Sequence, residues 1–185
     1  MTTRYRLDPA QSRFTVQAFA AGLLSFLGHN PTFAVRHFSG EVCFDPTAPV
    51  AASVRVTVRA DSLQLEDKVS AADRRQIEGA MRSESLETAR YPEVVFESAE
   101  VRAGARSGDD WPVQIAGRLT LHGATRPARI DARLTLYSDG VRLAGEFSLS
   151  QSEFGLRPVV ALGGTLRLKD AVKGSFSIVG WKEPG

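Results

Sequence analysis

Hydrophobic and polar residues alternate with a period of two along most of this chain. In 52–60 the apolar set is Val54, Val56, Val58, and the other face carries Arg55, Thr57 and Arg59. Residues 113–123 set Val113, Ile115, Leu119 and Leu121 against Gln114, Arg118 and Thr120. Residues 128–150 give Ile130, Leu134, Leu136, then Val141, Leu143, Phe147, Leu149, opposite Arg129, Asp131, Arg133, Arg142 and Glu146. Each pattern predicts an antiparallel strand with one buried and one wet face. Ser138-Asp139-Gly140 reads as a hairpin turn in which glycine supplies a positive φ, and the "GATRP" run after Leu121 as another. Further strands are expected near 12–20, 33–44, 93–102, 160–168 and 172–181. The total of about eight suits a sandwich or barrel.

One stretch has a different period. Val69, Ala72, Ile77, Ala80 and Met81 recur near helical spacing, Ser70 and Asp73 form a capping pair, and Pro92 stops a helix before Tyr91. A short helical insert is therefore predicted at about residues 67–90, placed to close one end of a barrel. Gly104–Asp110 is a polar loop.

The inward positions are almost wholly aliphatic or Phe. Eight strands can enclose side chains alone or one ligand. The inward set includes the small residues Ala18, Ala20, Gly117, Ala132 and Gly145, which either leave space or allow tight packing. At this point a solid core and a hollow one both stand. The passage "GLLSFLGHNPTFAVRHF", residues 22–38, reads as a rim: strand end, apolar lip, turn, return strand. Leu23, Leu24, Phe26 and Leu27 are too apolar for a fully solvated loop. A lid over the lumen is the first reading for them, ahead of a dimer contact or membrane docking.

The 185 residues suit one domain over 1–185. Lys+Arg of 23 against Asp+Glu of 21 gives net +2, with no nucleic-acid footprint. The single cysteine, Cys43, excludes an intramolecular disulfide. The opening "MTTRYRLDPAQSRF" lacks a leader pattern, so a cytoplasmic site is expected, or a periplasmic one if a leader was removed. The uncharged stretch from Phe14 to His29 is too polar and short for a spanning helix, so no stable membrane insertion is expected.

Catalytic motifs are missing. There is no Gly-x-Ser-x-Gly, His-Glu-x-x-His or glycine-rich phosphate loop, and the Gly163-Gly164 pair precedes a strand. His29 and His37 stand eight apart with Cys43 beyond, a spacing that fits no usual zinc pattern. His122 reads as a turn donor. No catalytic residue, metal ligand or cofactor is assigned, and the expectation is a protein that is not an enzyme.

The ordered segments "YRLDPAQSRFTV", "FSGEVCFDP", "VRADSLQLEDKVS", "YPEVVFES", "IAGRLTLHGATRPARI" and "SEFGL" together resemble the YceI-like family of lipid-binding proteins. The resemblance covers nearly the whole chain. It implies a lipocalin-like, up-and-down antiparallel barrel whose lumen holds a polyisoprenoid or other long amphiphilic lipid. It also leaves room for a homodimer and for export. Two departures are the missing leader and the unusually apolar "GLLSFLGHNPTF".

On this reading Phe14, Val16, Phe33, Val35, Val56, Val58, Leu119, Leu134, Phe147 and Phe176 line the lumen. Leu24, Phe26, His29 and Asn30 stand at the mouth. The partner is a long-chain isoprenoid, an isoprenoid quinone or its precursor, or a fatty-acyl lipid, held by sequestration. Two rivals remain: a metal-dependent or catalytic barrel using His29 and His37, and a ligand-free structural or interaction domain.

Overall fold

The computed structural model describes residues 2–21 and 30–183. Its strands are β1 (Thr3–Ala21), β2 (Thr32–Val35), β3 (Phe38–Phe44), β4 (Ser53–Arg59), β5 (Leu63–Leu65), β6 (Glu93–Ala103), β7 (Asp110–Leu121), β8 (Ala124–Leu136), β9 (Gly140–Ser150), β10 (Val160–Ala161) and β11 (Leu166–Lys182). One helix, α1 (Ala71–Ala80), runs on into a π turn at Met81–Ser85. Eight strands follow one another around an antiparallel barrel in the order β1-β3-β4-β6-β7-β8-β9-β11. Pairing of β11 with β1, from Tyr5 opposite Lys182 to Ala21 opposite Arg167, closes it. This is the up-and-down barrel that the alternation and the resemblance predict.

The three remaining strands extend one end. β2 and β3 both pair with β1, as Val16 opposite Phe33 and Tyr5 opposite Val42, so they are one strand broken at Arg36 and His37. β4 and β5 are broken likewise by a turn at Ala60–Ser62. Buried Ser62 joins the two breaks: its hydroxyl accepts from the His37 N–H at 3.1 Å and donates to the Arg59 carbonyl at 2.7 Å. His37 therefore sits exposed in a break, not within a continuous strand as the sequence suggests.

The start of one strand and two turns differ in detail from expectation. β1 begins at Thr3, because Asp8–Arg13 is a bulge inside the strand: Asp8 Oδ1 accepts from the Ala10 N–H at 2.9 Å, and the Ser12 hydroxyl donates to the Asp8 carbonyl at 2.6 Å. The β7–β8 turn is His122-Gly123, both at positive φ, so Thr125–Pro127 belong to β8. Gly140 closes its hairpin without a positive φ; a Cβ there would lie 2.9 Å from the Gly180 carbonyl and from the Trp181 ring. The capping pair is as predicted, with Ser70 Oγ accepting from the Asp73 N–H at 3.0 Å.

One end of the barrel is solid. Phe44 is fully buried, and its ring meets Trp111 edge-on at 5.3 Å, with Val42, Val141 and Leu134 around them. The other end is covered by α1, where Ile77 and Met81 pack with Phe33, Leu65, Leu166 and Leu168.

Candidate functional site

Between the packed end and α1 lies a cavity of about 340 Å³. That is the low end of the range of about 300–1,000 Å³ for small-molecule sites. Nine of the ten residues assigned to the lumen from sequence line it: Phe14, Val16, Phe33, Val35, Val56, Val58, Leu119, Phe147 and Phe176. Leu134 does not. It stands opposite Trp111 and Leu143 in the solid end, where the rings leave no space.

The wall formed by β1, β9 and β11 is aromatic. Phe14 meets Phe38, Phe147 and Phe176 edge-on at 6.1–6.3 Å. The small inward residues behave differently from a simple vacancy. Phe176 stands opposite Gly145 and Phe147 opposite Gly174, and each ring covers its glycine. A Cβ at Gly117 would likewise lie 2.9 Å from the Phe96 ring. The glycines thus seat large rings flat on the sheet, and the free volume lies beyond the rings.

The helical insert covers one end of the barrel as expected, but the cap residues that face the lumen were not singled out from sequence. Met81, Ser85 and Leu86 from the π turn, and Phe154, Leu156 and Val159 from the segment after β9, also line the cavity. Apart from Met81, which fits the helical spacing, these residues lie in irregular backbone, where no period marks the inward side. Gly155, at φ 72°, ends the 3-10 turn Gln151–Phe154 and directs Leu156 back inward. Ser85 is 3% exposed and brings a hydroxyl to a mostly apolar wall, whose other polar members are Arg129, Ser148, Gln151 and Glu153. The cap is tied to the β7–β8 turn by His122 Nε2, 2.6 Å from Glu87 Oε2, with the Tyr91 ring centred 4.4 Å from the imidazole and tilted by 57°.

Of the expected mouth residues, Leu24, Phe26 and His29 lie outside the described residues. Asn30 is exposed, and its Oδ1 accepts from the Ala20 N–H at 3.2 Å, which finishes β1. Asn30 does not line the cavity. Cys43 is half-buried on β3, apart from exposed His37. Among the described residues no three of His, Cys, Asp and Glu gather as metal ligands, and no helix is long and apolar enough to cross a membrane.

A closed up-and-down barrel with an apolar interior is the class that this fold and cavity define. The chain belongs to the YceI-like domain family, whose pattern matches residues 5–179. It is 29% identical over 164 residues to a UPF0312 protein of Pseudomonas aeruginosa, covering 85% of this chain and 78% of that one. It is 32% identical over 118 residues to a UPF0312 protein of Pectobacterium atrosepticum and to Protein YceI of Escherichia coli. Those matches take in 63% of this chain and only 56% of either relative's length. Among solved structures, BcnA of Burkholderia cenocepacia superposes with a TM-score of 0.71 at 19% identity, over 94% of this chain and 98% of that one. The YCEI protein of Campylobacter jejuni gives 0.58 at 15%, over 82% and 84%. At these identities the two structures speak for the fold alone.

Proposed function

We propose that this protein binds a long-chain amphiphilic lipid in the barrel lumen and acts by sequestration or transport, without catalysis. The observation that carries the reading is the cavity itself: a closed barrel whose inner walls are mostly Val, Leu, Ile and Phe, solid at one end and hollow at the other. A chain of about ten methylenes placed there gains about 8 kcal/mol of burial, at about 0.8 kcal/mol each. That gross gain equals micromolar affinity only before ordering costs are subtracted, so a chain longer than about ten methylenes is needed to bind that tightly. Chain length then sets affinity, and the Ser85 hydroxyl offers one buried polar contact.

The test is organic extraction and mass spectrometry of the protein as purified, followed by titration with cis-parinaric acid, whose fluorescence rises in an apolar site. A stoichiometric lipid in the extract, or saturable binding that a long-chain isoprenoid displaces, is the expected result. An empty extract together with no saturable binding overturns the proposal.

A further inference from the structure

The β8–β9 ladder stops before the cavity does. It runs from Leu136 opposite Val141 to Asp131 opposite Glu146 and ends there. Beyond that pair the strands keep only their outer neighbours: β8 stays with β7 as far as Ala124, and β9 with β11 as far as Ser150. Pro127, which has no N–H to give a ladder, stands in the released part of β8. Both lips of this gap line the cavity, Ala128 and Ile130 on one side, Phe147 and Leu149 on the other. Their burial differs from that of inward residues in the intact ladder. Leu134 and Leu143 are 3% and 4% exposed, whereas these four are only half-buried.

The 3-10 turn Gln151–Phe154 spans the gap, and it is fastened unequally. Toward β11 it is held by four hydrogen bonds. Gln151 Nε2 donates to the carbonyls of Lys169 and Asp170 at 3.0 and 3.2 Å, and the Asp170 carboxylate accepts from the Ser152 N–H and hydroxyl at 2.7 and 2.9 Å. Toward β8, among the described residues, there is one: exposed Arg126 donates from Nε to the Glu153 carbonyl at 3.1 Å.

We propose that the gap between β8 and β9 is a side door, through which the bound amphiphile enters and leaves the lumen, with the turn Gln151–Phe154 as its latch. The door rests on the reading of the cavity as a lipid site. It fits the cavity's modest volume, since a chain too long for 340 Å³ needs an opening through which its remainder can emerge. It also fits the unequal fastening, because the turn can part from β8 by losing one surface hydrogen bond while it stays anchored on β11.

The experiment joins the lips. Continued past its end, the register would set Arg129 against Ser148, both exposed. A Cys43→Ser, Arg129→Cys, Ser148→Cys variant is compared before and after reaction with a short bismaleimide, the cross-link being verified by mass. The rates of cis-parinaric acid uptake and release are followed by stopped-flow fluorescence. Cross-linking is expected to slow both by about tenfold or more. Arg126→Ala, which frees the latch, is expected to speed both several-fold and leave their ratio near that of the wild type. Cross-linked protein that exchanges as fast as the untreated variant overturns the door. Wild-type protein that takes up no cis-parinaric acid is a separate result, and it overturns the lumen reading on which the door rests.

Discussion

A methyl group at Gly174 would press directly on the ring of Phe147. The Cβ would stand 2.1 Å from Cζ and 2.2 Å from Cε1, where touching carbons sit about 3.5–4.0 Å apart. Gly174→Ala therefore obliges the ring to retreat by about 1.5 Å. The sheet lies behind it, so the open direction is the lumen. An off-rotamer ring costs about 0.5–1.5 kcal/mol. Replacing a glycine inside a strand returns about 0.5–1 kcal/mol. The net change in stability, read by urea denaturation of lipid-free protein, is then under about 1 kcal/mol. A bound chain meets the displaced ring, and overpacking of about 1–3 kcal/mol lowers affinity about 5- to 150-fold. Titration with cis-parinaric acid measures this loss. Adding Phe147→Leu returns the space, so the double variant recovers affinity that the two single changes would not predict by addition. A Gly174→Ala protein that loses about 3 kcal/mol of stability yet keeps its affinity refutes the argument, because the ring would then face packed atoms.

Three further outcomes follow from the same geometry. Leu134→Ala, in the solid end, should cost about 2–5 kcal/mol of stability by denaturation and leave the affinity of a folded sample unchanged. Ser85→Ala should weaken a lipid carrying a hydroxyl or carbonyl more than a hydrocarbon of equal length, as measured by paired displacement titrations; equal effects on both would remove Ser85 from any orienting role. His122→Ala, which deletes the tie to Glu87, should cost about 1–2 kcal/mol and raise amide exchange across 71–91 more than in the solid end.

The barrel was legible because its strands have one wet face. In β4, β9 and most of β7 and β8 the alternation of arginine with valine or leucine separates the inner from the outer face. The break between β2 and β3 was missed although the alternation changes parity across it, from Phe33 and Val35 to Phe38, Val42 and Phe44, and the Ser62 hydroxyl, 25 residues on, holds the interruption. Local pattern found nine lining residues and misplaced Leu134, since alternation says which face a residue is on but not how far along the barrel it sits. The seating of Phe147 on Gly174 and Phe176 on Gly145 is a matter of register between distant segments, so a small inward residue was open to two readings. The end of the β8–β9 ladder is of the same kind, and Pro127 is its only local sign.

Closure of the barrel joins β1 to β11, segments separated by most of the sequence. During synthesis, then, β1 cannot find this neighbour until Leu166–Lys182 has left the ribosome. The apolar inner faces of the earlier strands wait in the meantime as a curved, open sheet with two unpaired edges, the form most exposed to association between chains. Such long-range pairing also places the molecule among slow-folding topologies. If the proposed lipid settled on the open sheet, it would cover that face before the last strand arrived, and would take part in folding as well as in binding.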